Sequence, residues 1–108
     1  SIAGLRGTPI LGAYGITKAA DIQMTKNLAR EYGPYNVRIN SIAPGLVKTD
    51  FARGLWENPE NLKTSTSGAA LGRIGEPREI AGAAVYLASD ASSFMTGQTI
   101  VIDGGVVV

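Results

Sequence analysis

The sequence predicts an α/β fold, half of a doubly wound parallel-sheet domain, and three observations carry that expectation. Apolar residues from Gly12 to Tyr32 recur at helical spacing, "NVRINSIA" alternates as a strand does, and "QTIVID" is a continuous apolar run between Gly97 and Gly104. Helices alternating with strands in this way build a parallel sheet covered by helices.

The elements follow in chain order. "SIAGLRGT" contains no complete strand and reads as a strand's carboxyl end at Ser1 running into a Gly-rich loop. From Gly12 to Tyr32, Ile16, Ala20, Met24 and Leu28 form one row, while Ala19, Ile22 and Ala29 form another. Two apolar rows predict a helix covered on two sides, by a sheet and by a neighbouring helix. Lys26 and Arg30 suit the negative end of the helix dipole, and Gly33-Pro34 predicts its end. Asn36 to Ala43 is expected as a strand closed by Pro44-Gly45. Short helices are expected around Asp50 to Leu55 and Pro59 to Ala70 inside a long irregular region. Pro77 suits a first helical position, and Ile80, Ala81, Ala84, Val85, Leu87 and Ala88 make a stripe to about Ser89. The final apolar run fits a strand buried on both faces.

Composition narrows the chemistry. The 108 residues are 44% hydrophobic and 18% charged, with a formal charge of +1 and scattered basic residues, so neither nucleic acid nor a membrane surface is an expected partner. Cysteine and histidine are both absent, which removes disulfides, thiolate chemistry, and the commonest zinc ligand and general base. No metal site is expected. Acid–base work falls to Tyr, Lys, Ser or carboxylates. The sequence shows neither a signal peptide nor a run of apolar residues long enough to span a bilayer, and a cytoplasmic location is the expectation.

One pair stands out in "AYGITKAA". On a helix, Tyr14 and Lys18 differ by about 40° in azimuth and lie one turn apart on the same face. A cation at that distance favours the phenolate, making the phenol a better proton donor and its anion an accessible base. The same spacing also suits a phenol at the edge of the core beside a lysine that snorkels to water. Further on, "NSIAPGLVKTD" puts a Pro-Gly turn and a threonine directly after the expected strand, at a carboxyl edge where ligands of open α/β sheets gather.

Taken together, Ser1, "YGITK", "NSIAPGLVKT", "GRIGEPREIA" and "YLASDASSFMTGQTIVIDGG" occur in an order and spacing that resembles the classical short-chain dehydrogenase/reductase family. The likeness covers nearly the whole chain. It implies a Rossmann-like fold and hydride exchange between NAD or NADP and a small carbonyl or alcohol substrate. The catalytic residues it implies are Ser1, Tyr14 and Lys18. Tyr14 would pass the proton, Ser1 would hydrogen-bond the substrate oxygen, and Lys18 would bind the nicotinamide ribose and tune the tyrosine. Pro44 and Gly45 would lie beside the nicotinamide, Val47 would offer backbone groups to its carboxamide, and Thr49 a hydroxyl. Residue by residue, Pro44-Gly45 also fits a type II turn, and Thr49 also fits the cap of a helix beginning near Asp50.

The resemblance further implies that Phe51 to Gly75, with Leu55, Trp56, Leu62, Leu71 and Ile74, closes over substrate. It implies a homodimer or homotetramer paired through the two long helices and the last strand. The family's GxxxGxG turn is not matched: Gly4, Gly7, Gly12 and Gly15 neither follow a strand nor have that spacing. Residues 1-108 are therefore expected to be a partial domain whose N-terminal half, with the phosphate-cradling turn, precedes Ser1. An inactive truncated remnant serving as an interaction or dimerisation module, and a small binding module of merely similar architecture, are the competing expectations.

Overall fold

Ser1 belongs to no strand. In the computed structural model, which describes residues 1–108, it caps a 3-10 turn, Ile2–Gly4, by accepting the Ala3 N–H at 3.1 Å. Helix α1 then spans Gly12–Tyr32, as its apolar spacing predicts. It does not stop at a left-handed glycine. Gly33 keeps right-handed helical angles, Pro34 fits inside the following 3-10 turn Gly33–Tyr35, and Asn36 takes the positive φ of 59° that ends the spiral. Asparagine tolerates this region better than other side chains do.

Strand β1, Ser41–Pro44, pairs in parallel with β2, Thr99–Ile102, in a register that sets Ser41 opposite Thr99 and Pro44 opposite Ile102. The strand begins later than the sequence suggests. Residues 37–40 are held by polar clamps: the Ile39 N–H donates to Thr96 Oγ1, the Gly97 N–H donates to the Ile39 carbonyl, and Asn40 bonds Met95 and Gln98. Between the strands lie α2 (Arg53–Trp56), α3 (Pro59–Thr66) and α4 (Pro77–Ala88). Helix α3 stops short of the expected Ala70 because Gly68 follows and the Ala70 and Leu71 N–H groups donate to the carbonyls of Gly105 and Gly104.

Both ends of α4 are fastened by charge. At its start Glu76 and Glu79 form a reciprocal capping box, and Arg73 grips both Glu79 oxygens at 2.9 and 2.7 Å. At its end the Arg38 guanidinium donates to the carbonyls of Leu87, Ser89 and Ser92 and to the Ser92 hydroxyl, so a cation sits where helix carbonyls are unpaired. Arg73, hydrogen-bonded to Glu79, and the Glu76 N–H hold the Glu79 carboxyl at about 2, below its ordinary value of 4.5. A depressed carboxylate pKa adds stability that is complete above the unfolded value and disappears as pH falls through the folded one. Wild type is thus expected to melt higher than Glu79→Gln at pH 7, and thermal melts should show the gap closing between about pH 4.5 and pH 2.

The core of this chain is small and one-sided. Only six residues are fully buried: Ile2, Thr25, Ala29, Ala43, Thr66 and Ser92. On α1 the side bearing Ile22, Thr25 and Ala29 is covered, whereas Ile16 and Met24 stand exposed, so the expected double cover is half realised within the chain. Helix α4 likewise turns Ile80, Ala83 and Leu87 inward and leaves Val85 outside. Strand β2 is covered less than expected: Val101 keeps 40% of its surface, because no further layer of this chain lies over it. The radius of gyration, 15.1 Å, exceeds the roughly 13 Å of a closed domain of this length, in keeping with open layers.

Candidate active site

The Ser1 turn is seated directly on the first half of α1. A side chain at Gly4 would come within 2.5 Å of the Lys18 carbonyl carbon and 2.6 Å of the Ala19 nitrogen, and one at Gly15 within 3.0 Å of the Ala3 oxygen. Two glycines therefore let two backbones touch, and this brings Ser1 beside the stretch that carries Tyr14 and Lys18. The Ser1 oxygen is used as an acceptor by Ala3, which leaves its own proton available to donate.

Tyr14 and Lys18 share a face of α1, both half-buried, and the Lys18 ammonium lies 5.5 Å from the Tyr14 ring centroid. The ammonium also donates to Asp21 Oδ2 at 2.9 Å. That hydrogen bond first, and the Asp21 charge second, hold the Lys18 pKa above its usual value, so the cation persists across the physiological range. Asp21 went unread in the sequence, although its position three residues after Lys18 was the available signal. The Tyr14 hydroxyl has no hydrogen-bond partner within the chain.

The second cluster follows β1. Gly45 extends the ladder by donating to the Ile102 carbonyl at 2.9 Å, and a side chain there would meet the Asp103 backbone at 2.7 Å. Gly45 does not have positive φ, so Pro44-Gly45 is a strand end rather than a type II turn. Asp103 is in turn braced: burial pushes its carboxyl up, but the N–H groups of Val107, Gly105 and Val106 outweigh it and leave the pKa lowered.

Val47 forms a parallel bridge with Gly75, in which the Gly75 N–H donates to Leu46 and the Lys48 N–H donates to Gly75. A bridge of this kind uses the groups before and after Val47 and turns its own N–H and C=O the other way. The Val47 N–H has no partner in the chain, and its carbonyl receives only the Thr49 hydroxyl, at 3.5 Å. Thr49 does act as a cap, accepting the Ala52 N–H at 3.4 Å ahead of the 3-10 turn Asp50–Ala52. Trp56 reaches back to this loop and donates from Nε1 to the Thr49 carbonyl at 2.9 Å.

The Ser1 turn and α1 both pack on β1, the strand that delivers Pro44 to the second cluster, but no hydrogen bond joins the two clusters directly. In the Phe51 to Gly75 excursion Phe51 is 89% and Leu71 65% exposed and Leu55 also faces outward, whereas Trp56, Leu62 and Ile74 are half-buried. No three His, Cys, Asp or Glu residues gather as metal ligands, and no helix is long and apolar enough to cross a membrane.

Residues 1–107 match the family model described as enoyl-(acyl carrier protein) reductase. A 3-oxoacyl-[acyl-carrier-protein] reductase FabG from Chlamydia muridarum is 49% identical over 107 residues, covering 97% of this chain and 42% of that protein. Dehydrogenase/reductase SDR family member 4 from Bos taurus is 44% identical over 105 residues, covering 97% of this chain and 38% of that protein. Among solved structures, 4-hydroxyisoleucine dehydrogenase complexed with NADH superimposes with a TM-score of 0.95 at 37% identity, over 99% of this chain and 44% of that one. A short-chain type dehydrogenase/reductase from Mycobacterium ulcerans gives a TM-score of 0.92 at 42% identity, over 98% and 38%. The chain thus spans about two fifths of the curated relatives it matches. Its parallel strands and flanking helices are part of a doubly wound α/β domain, and the chain belongs to the classical short-chain dehydrogenase/reductase family.

Proposed function

We propose that this chain is the catalytic, C-terminal portion of an NAD- or NADP-dependent oxidoreductase that interconverts a carbonyl and a secondary alcohol. The observation that carries the reading is the seating of the Ser1 turn on the Gly15 to Ala19 backbone of α1, the same helical turn in which the Lys18 cation overlies the Tyr14 ring. The unpartnered Val47 N–H, and the Val47 C=O that only the Thr49 hydroxyl approaches at 3.5 Å, suit a nicotinamide carboxamide, which brings one acceptor and one donor, and Gly45 keeps the loop close against β2. Pro44 and Thr49 complete that side of the cofactor site.

When bound, the nicotinamide supplies or takes the hydride. Tyr14 moves the proton at its phenolic oxygen, giving it to the carbonyl oxygen in reduction and removing it in oxidation. Ser1 donates a hydrogen bond to the same oxygen and so stabilises charge developing there. Lys18, held cationic by Asp21, binds the ribose hydroxyls and sustains a positive field along the Tyr14 ring. The phosphate-cradling turn belongs to the N-terminal half of the complete protein. The exposed Ile16, Met24 and Val85 support association into a homodimer or homotetramer.

The test is isotopic. The complete protein, given cofactor deuterated at the nicotinamide C4 and a panel of ketones and 3-oxoacyl thioesters, is expected to place deuterium on the carbinol carbon of at least one product. Mass spectra free of label across the panel, from protein that binds the cofactor, would sink the proposal.

A further inference from the structure

We infer that Trp56 is a positioning residue for the nicotinamide end of the cofactor site, acting through Thr49. The inference rests on the cofactor reading above and deepens it. Both peptide planes of Val47 are held by Gly75, one through the Leu46 carbonyl and one through the Lys48 N–H. Thr49 is beyond that ladder. Its backbone is extended, with φ −129° and ψ 160°, and its hydroxyl is the third polar group of the cluster.

Trp56 supplies the fastening that the ladder lacks. Its indole N–H takes the Thr49 carbonyl at 2.9 Å, and the Lys48 ammonium lies 5.5 Å from its ring centroid. The loop from Thr49 to Trp56 is thereby closed on itself. Trp56 is itself held by its own helix: the Arg53 guanidinium lies 5.8 Å from the ring and pairs with Asp50, and Asn61 Nδ2 donates to the Gly54 carbonyl at 3.1 Å, tying α2 to α3. Holding the Thr49 carbonyl sets the orientation of that residue, and with it the hydroxyl that leans towards the Val47 carbonyl. A small carboxamide meets all three groups only if Thr49 keeps this place.

The test uses the complete protein and calorimetric binding of two probes, the reduced dinucleotide and ADP-ribose, which lacks nicotinamide. Trp56→Phe keeps an aromatic face for Lys48 and loses the N–H donor. It is expected to weaken the dinucleotide by about three- to tenfold, the worth of one hydrogen bond, and to leave ADP-ribose unchanged. Adding Trp56→Phe to Thr49→Val is expected to cause no further loss, because the effect passes through the Thr49 hydroxyl. In a wild type that binds both probes, the inference is overturned by unchanged dinucleotide affinity, by equal weakening of both probes, or by additive losses in the double variant. A wild type that fails to bind the dinucleotide removes the cofactor reading, and this inference with it.

Discussion

Tyr14→Phe in the complete protein is expected to lower kcat by about 10²- to 10⁴-fold, the usual range for a positioned proton donor, with the KM values for cofactor and carbonyl nearly unchanged. The substitution removes one oxygen and no packing surface. The ring stays half-buried against α1, and the Lys18 ammonium keeps an aromatic face at the same 5.5 Å. Because the Tyr14 hydroxyl bonds nothing else in the chain, its loss leaves no internal group unpaired. Stability should therefore hold while turnover collapses, and steady-state kinetics beside a thermal melt separate the two. Turnover within a few-fold of wild type would show that the proton comes from elsewhere.

Gly4→Ala is expected to damage both stability and turnover. Its new carbon would sit 2.5 Å from the Lys18 carbonyl carbon, 2.6 Å from the Ala19 nitrogen and 2.7 Å from the Lys18 oxygen, all of them helix backbone that does not yield by rotating a side chain. Relief requires lifting the Ser1 turn from α1. Overpacking of this severity costs about 3 kcal/mol. A displacement of about 1 Å between Ser1 and the reacting centre costs on the order of 10²-fold in kcat. Gly7→Ala is the control, since nothing lies within 4 Å of a side chain there, and its denaturation midpoint should stay close to wild type. Equal behaviour of the two variants would mean that the turn is not pressed against the helix.

Much of this architecture was legible in the sequence because it depends on local spacing. The row from Ile16 to Leu28 gave α1 its limits, Pro77 marked the start of α4, and the apolar run before Asp103 gave β2. What escaped depends on partners distant in the chain. The β1 boundary is set by Thr96, Gly97 and Gln98, whose clamps on Ile39 and Asn40 no periodicity in residues 36–43 reports. Arg38 looked like a polar residue of an alternating strand, yet it closes the far end of α4. Depth of cover was also misread. Apolar rows on α1 and β2 reveal which surfaces avoid water, and they do not say whether this chain supplies the cover. Within the candidate site, Tyr14 and Lys18 were readable from one helical turn. The partner of Lys18, Asp21, and the indole bond to Thr49 needed coordinates.

The two backbone ladders at the roots of the Asp50 to Ala70 excursion have an evolutionary corollary. One ladder joins Leu46 and Lys48 to Gly75; the other joins Ala70 and Leu71 to Gly105 and Gly104. Since both moorings are outside α2 and α3, residues can be gained or lost between Glu57 and Gly68 at a closure cost that grows only logarithmically with length. Changes of length there would be absorbed within the excursion, leaving the backbone around Val47 and Gly104 where the two ladders set it.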